Sequence, residues 1–196
     1  MTRLEYPFDE RQIRALKAGD SVSISGLVHT GRDKFHKWFA DGHPVCVDFR
    51  DGALYHCGPV VVREGDGWRV VAAGPTTSVR ENPYEPDFIA KSGVRVIIGK
   101  GGMDAATLDA MRRHGCVYVQ AVGGAAAVSA ASVRRVAGVD YLDEFGAAEA
   151  CWHFEVDGFK GVVAMDSHGA SLFDRVGAES SARLSELFRQ FGQIRH

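Results

Sequence analysis

The 196-residue sequence predicts one α/β domain that mixes antiparallel and parallel pairing. Three observations carry that prediction. Ser21-Val22-Ser23-Ile24-Ser25-Gly26-Leu27-Val28 alternates polar and apolar side chains, the period of a half-buried strand. Val60–Arg63 and Trp68–Ala73 flank Glu64-Gly65-Asp66-Gly67, a glycine-rich turn between two β-rich runs, which reads as a hairpin. Val94–Ile98, a glycine turn, a helical segment and Cys116–Val122 then follow as strand, turn, helix and strand, the unit of a parallel sheet.

Residues 1–20 read as a lead-in with one or two helical turns around Ile13 and Leu16, ended by Gly19. After the first strand, Phe35, Trp38 and Phe39 fall at i, i+3 and i+4, which predicts an amphipathic helix from Asp33 to Ala40 with Asp33 as N-cap. Arg32 thus precedes a helix N-terminus, where unpaired N–H groups favour an anion. A surface arginine beside an ordinary cap is the plainer alternative. A short strand, Ala53–Cys57, leads to Gly58-Pro59 and the hairpin, which delivers the chain to Gly74-Pro75-Thr76-Thr77-Ser78-Val79-Arg80. A helix at Asp87–Lys91 ends at Gly93, and the buried strand Val94–Ile98 opens into Gly99-Lys100-Gly101-Gly102. A helix from about Asp104 to His114 turns Leu108 and Met111 inward and stops at Gly115. Gly123-Gly124-Ala125 begins a predicted helix over 126–136. Ala148–Val156 and Lys160–Met165 read as two strands around an Asp157-Gly158 turn, and Asp166-Ser167-His168-Gly169 as another turn. Ser180–Phe191 is an amphipathic helix bearing Leu184, Leu187, Phe188 and Phe191, closed by Gly192.

Bulk properties bound the function. A net charge of −2 with scattered basic residues argues against a nucleic-acid partner, which needs a concentrated basic face. The N-terminus lacks a signal-peptide core and no apolar run approaches a membrane span. A cytoplasmic setting with reduced Cys46, Cys57, Cys116 and Cys151 is expected, each read first as a small buried hydrophobe.

The chemistry-bearing residues gather at turns. Lys100 sits in a glycine turn at a strand's carboxyl end, the usual place for ligands in open α/β sheets. Thr76, Thr77 and Ser78 offer hydroxyls, and Arg80 can grip a carboxylate bidentately. An ST-turn with a solvent-facing arginine is the alternative. No GxxxxGK[ST], dinucleotide fingerprint, GxSxG or HExxH is present, and His29, His36, His56 and His168 are scattered.

Taken in order, His29-Thr30-Gly31-Arg32-Asp33 with His36, Gly58-Pro59, Gly74-Pro75-Thr76-Thr77-Ser78 with Arg80, Gly99–Met103, Gly123–Ala126, Glu149-Ala150 before Trp152, and Asp166 with Gly169 form an ordered set. It resembles the β subunit of iron–sulfur-dependent fumarate and L-tartrate dehydratases, and the C-terminal domain of single-chain class I fumarases. The likeness covers roughly residues 18–175 of a single domain spanning 1–196, with the terminal helix at about 180–191. It implies a swivelling β/β/α domain: a central parallel sheet, an antiparallel layer and flanking helices. It also implies a heteromeric, α2β2-type hydro-lyase. A [4Fe-4S] cluster would be held by a cysteine-rich α subunit, and this chain would supply no metal ligand. By the same resemblance Arg32, Arg80 and Lys100 would bind the dicarboxylate substrate, and Thr76 would take the carbon-bound proton. Asp33, Thr77, Gly99 and Gly101 would support them. The short lead-in is what a separate subunit would show. The sequence departs where Arg80 is followed by Glu81-Asn82 instead of a Met-acidic pair, beside the expected site. Two other readings stay open: a non-catalytic anion-binding or regulatory module with this fold, and a cluster built within this chain from Cys57, Cys116 and Cys151.

Overall fold

The computed structural model describes residues 1–45 and 47–193. The expectation for Cys46 lies outside the described residues. The chain runs β1 (Thr2–Glu5), α1 (Glu10–Ala15), β2 (Ser21–Thr30), α2 (Asp33–Ala40), β3 (Ala53–Tyr55), β4 (Val60–Glu64) and β5 (Gly67–Ala72). A 3-10 turn (Ser78–Glu81), α3 (Glu85–Ser92), β6 (Val96–Gly99), α4 (Ala105–His114), β7 (Val117–Gln120) and α5 (Ala126–Ala131) follow. The chain continues through β8 (Val133–Asp140), α6 (Leu142–Phe145), β9 (Cys151–Met165) and α7 (Leu172–Gln193).

Strands β1, β2, β3, β6 and β7 pair in parallel in that spatial order, and β9 and then β8 continue the sheet antiparallel. The long β9 also pairs along β2, from Ser21↔Val162 to His29↔His153. The pairings β2–β3–β6–β7–β9–β2 therefore close on themselves. Closure gives each of these five strands a neighbour on both sides and leaves β1 and β8 as the outer strands.

Alternation then sorts side chains to two cores. One core holds Val22, Ile24, Val28, Tyr55, Val96, Ile98, Val117, Val119, Phe154 and Phe159, with Val61, Trp68 and Val70 of the β4–β5 hairpin packed on it. The other holds Leu54, Ile97 and Tyr118 from the opposite face of the same strands, against Phe35, Phe88, Ile89 and Met111 of α2, α3 and α4. Strand β6, with Val96, Ile97 and Ile98 fully buried, feeds both, as its unbroken apolar run predicts.

The helix ends follow local chemistry. Asp104 caps α4 by accepting from Thr107 N at 2.9 Å, and α3 and α4 stop at Gly93 and Gly115, both left-handed.

Several expectations are corrected. The lead-in carries a strand as well as a helix: β1 has one buried residue, Leu4, too little for a period to show. With Leu4, Phe8, Ile13 and Leu16 buried, the core extends upstream of residue 18. The N-cap of α2 is Arg32 and Asp33 is its first residue; the carboxylate that meets the helix end is Glu149, whose Oε2 accepts from Lys34 N at 3.1 Å. The hairpin turn is the pair Gly65-Asp66, since Glu64 and Gly67 are already partners. The predicted helix over 126–136 stops at Ala131, because Val133 and Val136 pair with Val156 and Phe154 of β9, and tertiary pairing of β-branched residues overrides the alanine-rich helical start. Asp157-Gly158 is a bend within one continuous strand, not a hairpin. Gly158 has φ +70°, donates to Ser25 Oγ, and lies opposite the register shift between Ile24 and Gly26. Finally, α7 begins at Leu172 and passes through Gly192 to Gln193, so Gly192 does not close it. Its Leu184, Phe188 and Phe191 are exposed.

Candidate functional site

The Gly74–Arg80 segment is anchored on both sides. Pro75 bridges Cys57, Thr76 N donates to His56 O at 2.7 Å, Thr77 bridges Lys100 in parallel sense, and Ser78 N donates to Lys100 O at 3.0 Å. The loop therefore lies beside the carboxyl ends of β3 and β6, as an α/β ligand site should. The two stretches that are separate in sequence form one backbone platform.

On that platform Arg80 Nη2 donates to Thr76 Oγ1 at 2.9 Å and pairs with Asp33 Oδ2 at 3.0 Å. Asp33 orients the guanidinium, and the guanidinium favours negative charge on the threonine oxygen. Thr76 is half-buried, and Arg80 and Asp33 face water. Lys100 has no carboxylate partner among the described residues, and its Cδ lies beside the Gly123 turn. It is a half-buried cation available to an anionic ligand. Gly101 takes φ +84° and its N–H is held by Gln120 Oε1 at 3.1 Å, so it shapes the turn that presents Lys100.

Gly99 is required for a different reason. A Cβ there would stand 2.0 Å from Ser78 Oγ, 2.9 Å from Tyr118 OH and 3.2 Å from His56 Nδ1. Those three groups are themselves bonded: Tyr118 OH donates to Ser78 Oγ at 2.9 Å, and Ser78 Oγ meets His56 Nδ1 at 2.9 Å. The missing side chain makes room for the network that fixes the loop from below.

Arg32 is placed differently from the other cations. Its Nη1 donates to Ala148 O at 3.2 Å and its Nη2 pairs with Glu149 Oε1 at 3.3 Å, across the bare backbone of Gly58. It does not touch Arg80 or Lys100 among the described contacts. Thr77 is exposed and contributes backbone only.

Glu81 is the largest departure from the sequence reading. The 3-10 turn points it inward, fully buried, with Oε2 3.4 Å from His36 Nδ1. Burial pushes its carboxyl up to about 7, against the pull of His36. It does not line the open site. Asn82 caps the neighbouring backbone by accepting from Asp104 N at 3.2 Å. The sequence reading also missed the role of Glu85 and the meeting of His36 with His56: both rings lie within 3.2 Å of Glu85 Oε2. Only the apolar neighbours on α2 and α3 hinted that these polar residues face inward.

The chain matches the family described as Fumarase C-terminus over residues 2–176. It belongs to that family. A Geobacillus stearothermophilus protein provisionally named fumarate hydratase class I is 50% identical over 184 residues, 93% of this chain and 35% of the relative. A Methanocaldococcus jannaschii protein provisionally named L(+)-tartrate dehydratase subunit beta is 38% identical over 192 residues, 94% of this chain and 98% of the relative. The L(+)-tartrate dehydratase subunit beta of Escherichia coli is 32% identical over 171 residues, 86% of this chain and 85% of the relative. The chain thus spans about a third of the fumarate hydratase relative and nearly all of the first tartrate dehydratase subunit.

In this member of the Fumarase C-terminus family, the placement of the described cysteines does not suit an iron–sulfur cluster. Cluster ligands are thiolates that share one cradle. Cys57 belongs to one core, Cys116 and Cys151 to the other. Burial pushes the Cys57 thiol up to about 12 despite Arg32, and pushes Cys116 higher still. The described cysteines therefore do not fit the group. Among the described residues no helix is long and apolar enough to cross a membrane.

Proposed function

We propose that this chain is the β-type half of an iron–sulfur hydro-lyase that reversibly removes water from a 2-hydroxy dicarboxylate, either L-tartrate to oxaloacetate or malate to fumarate. The observation that carries this reading is the Asp33–Arg80–Thr76 relay beside Lys100, which has no carboxylate partner among the described residues, in a chain of this family. In this reading Lys100 and Arg80 hold substrate carboxylates, and Arg32 does so once substrate competes with Glu149. Thr76 Oγ1 takes the carbon-bound proton. A threonine hydroxyl is a weak base in water, and the Arg80 hydrogen bond is what makes the anionic oxygen accessible.

Thr77, Arg80 and Gly101 of the platform are exposed, as one wall of a shared site would be. The remaining wall, the proton donor and the [4Fe-4S] cluster are assigned to a cysteine-rich α-type partner in the cytoplasm, within an α2β2 assembly. When bound there, the cluster supplies a Lewis acid for the leaving hydroxyl.

The test is reconstitution with an α-type partner and assay on fumarate, L-malate and the tartrate isomers. One of these dicarboxylates should turn over, and Lys100→Ala should reduce kcat/KM by at least about 100-fold, the scale of a lost charge contact to a buried anion. Full activity of Lys100→Ala would remove its assigned role. Binding of dicarboxylate by this chain, with no turnover in any reconstituted complex, would instead select the non-catalytic anion-binding module, which the Arg32–Glu149 ion pair already accommodates.

A further inference from the structure

His36 from α2, His56 just beyond β3 and Glu85 at the start of α3 converge behind the platform, all without solvent exposure. His36 Nε2 is 3.0 Å and His56 Nε2 is 3.2 Å from the same Glu85 oxygen, Oε2. These are hydrogen-bond distances without hydrogen-bond alignment. Both Nε2 atoms and both Glu85 oxygens lack a hydrogen-bond partner among the described residues. Four such polar atoms left unpaired in a core would be costly, and native cores pair theirs. Atoms that approach closely yet do not point at one another are aimed at a common centre. Ligands about 2.0–2.1 Å from a tetrahedral ion stand roughly 3.3 Å apart, close to the spacing found here.

The far side of each ring is already committed. His36 Nδ1 lies 2.9 Å from Arg32 O, which only accepts, so Nδ1 carries a proton and Nε2 is the ring atom that faces Glu85, where a metal ion would displace the proton that the carboxylate favours on the ring. His56 Nδ1 is 2.9 Å from Ser78 Oγ, a hydroxyl that can pair with it, so Nε2 is the ring atom left to face Glu85. A metal ion placed between the two Nε2 atoms and Glu85 Oε2 would satisfy both nitrogens and the carboxylate at once. Glu81, 3.4 Å from His36 Nδ1, stands where outer carboxylates support a ligating histidine. Glu81 and Glu85 together would balance a divalent ion.

We propose that His36 Nε2, His56 Nε2 and Glu85 Oε2 bind a divalent transition-metal ion, zinc by the nitrogen–oxygen character of the set. The ion would tie α2, the end of β3 and α3 together. Those segments carry Asp33, the His56 carbonyl that holds Thr76 N, and the approach to Arg80, so its role is to position the platform. It is separate from any iron–sulfur cluster and needs no partner chain.

The experiment uses the untagged full chain, refolded with Zn²⁺ or Co²⁺, freed of excess metal by gel filtration and analysed by elemental assay and absorption spectroscopy. About one ion per chain is expected, with tetrahedral Co²⁺ bands in the visible and no thiolate-to-cobalt charge transfer. Zinc content should fall at least about tenfold in Glu85→Gln and in His56→Asn, which keep size and polarity. If neither variant folds, the wild-type cobalt spectrum decides. A chain that retains no metal, a spectrum showing thiolate ligation (the separate group of His29, Cys151 and His153 would give one), or undiminished zinc in folded Glu85→Gln would each overturn the proposal.

Discussion

Replacing Gly99 with alanine adds one methyl group and should unsettle the platform from beneath. Gly99 has no positive φ, so the backbone tolerates a side chain and the effect is purely steric. The new Cβ would lie 2.0 Å from Ser78 Oγ, so Ser78 must move or rotate. Moving it strains a tightly packed site, worth about 1–3 kcal/mol. It also breaks the buried Ser78–His56 and Ser78–Tyr118 contacts, worth about 1–3 kcal/mol for the groups left unpaired. A loss on the order of 3 kcal/mol lowers Tm by roughly 6–12 °C in a chain of this length. Urea denaturation and thermal melts of Gly99→Ala, Ser78→Gly and the double variant measure it. Ser78→Gly removes the obstructing oxygen, so in the double variant the methyl costs little, and the two losses should fall short of additivity by more than about 1 kcal/mol. Additive losses would refute the steric reasoning, as would a Gly99→Ala chain as stable as the parent.

Three further outcomes are expected. In a reconstituted enzyme, Thr76→Ser should retain most of kcat while Thr76→Val loses about 100- to 10,000-fold, the range of general-base catalysis; equal rates would take Thr76 out of the chemistry. His29 is buried against His153, which pairs with Asp140; burial first, and the neighbouring ring second, hold its pKa down at about 3. The unfolded chain takes up that proton below about pH 6.5, so stability should be complete above that pH and fall as pH drops toward 3, by about 2–3 kcal/mol at pH 4.5. His29→Gln should flatten this slope in pH-dependent urea titrations, and an unchanged slope would count against the assignment. Burial alone would raise the Asp166 pKa, but N–H donors of Ala170, Ala18 and His168 outweigh it and hold it down. Asp166→Ala should cost about 3 kcal/mol by equilibrium unfolding at pH 7, with the wild-type advantage lost as pH falls through the depressed carboxyl pKa.

Much of this molecule is legible without coordinates. Strand periodicity at 21–30, the apolar run at 96–98, and caps at Asp104, Gly93 and Gly115 are local signals, set by side-chain chemistry within a turn or two. The ordered Gly-Pro-Thr-Thr-Ser and Gly-Lys-Gly-Gly stretches likewise pointed to the family, which the family match bears out, and the structure brings their backbones together. What failed were signals that depend on distant partners. Asp157-Gly158 carries turn chemistry, yet β2 along one edge and β8 along the other keep the chain extended through it. Residues 133–136 follow a helical start, yet β9 offers them a ladder.

The site divides in the same way. Sequence alone identified which residue types stand at the strand ends: Arg32, Asp33, Thr76, Arg80 and Lys100. Only the tertiary structure decided which group each of them meets. Asp33 meets Arg80, which donates to Thr76, Glu149 meets Arg32, and Lys100 meets no acid among the described residues. Glu81 and Glu85 turn inward to two histidines from other segments, where burial gives them a chemistry that no local pattern encodes.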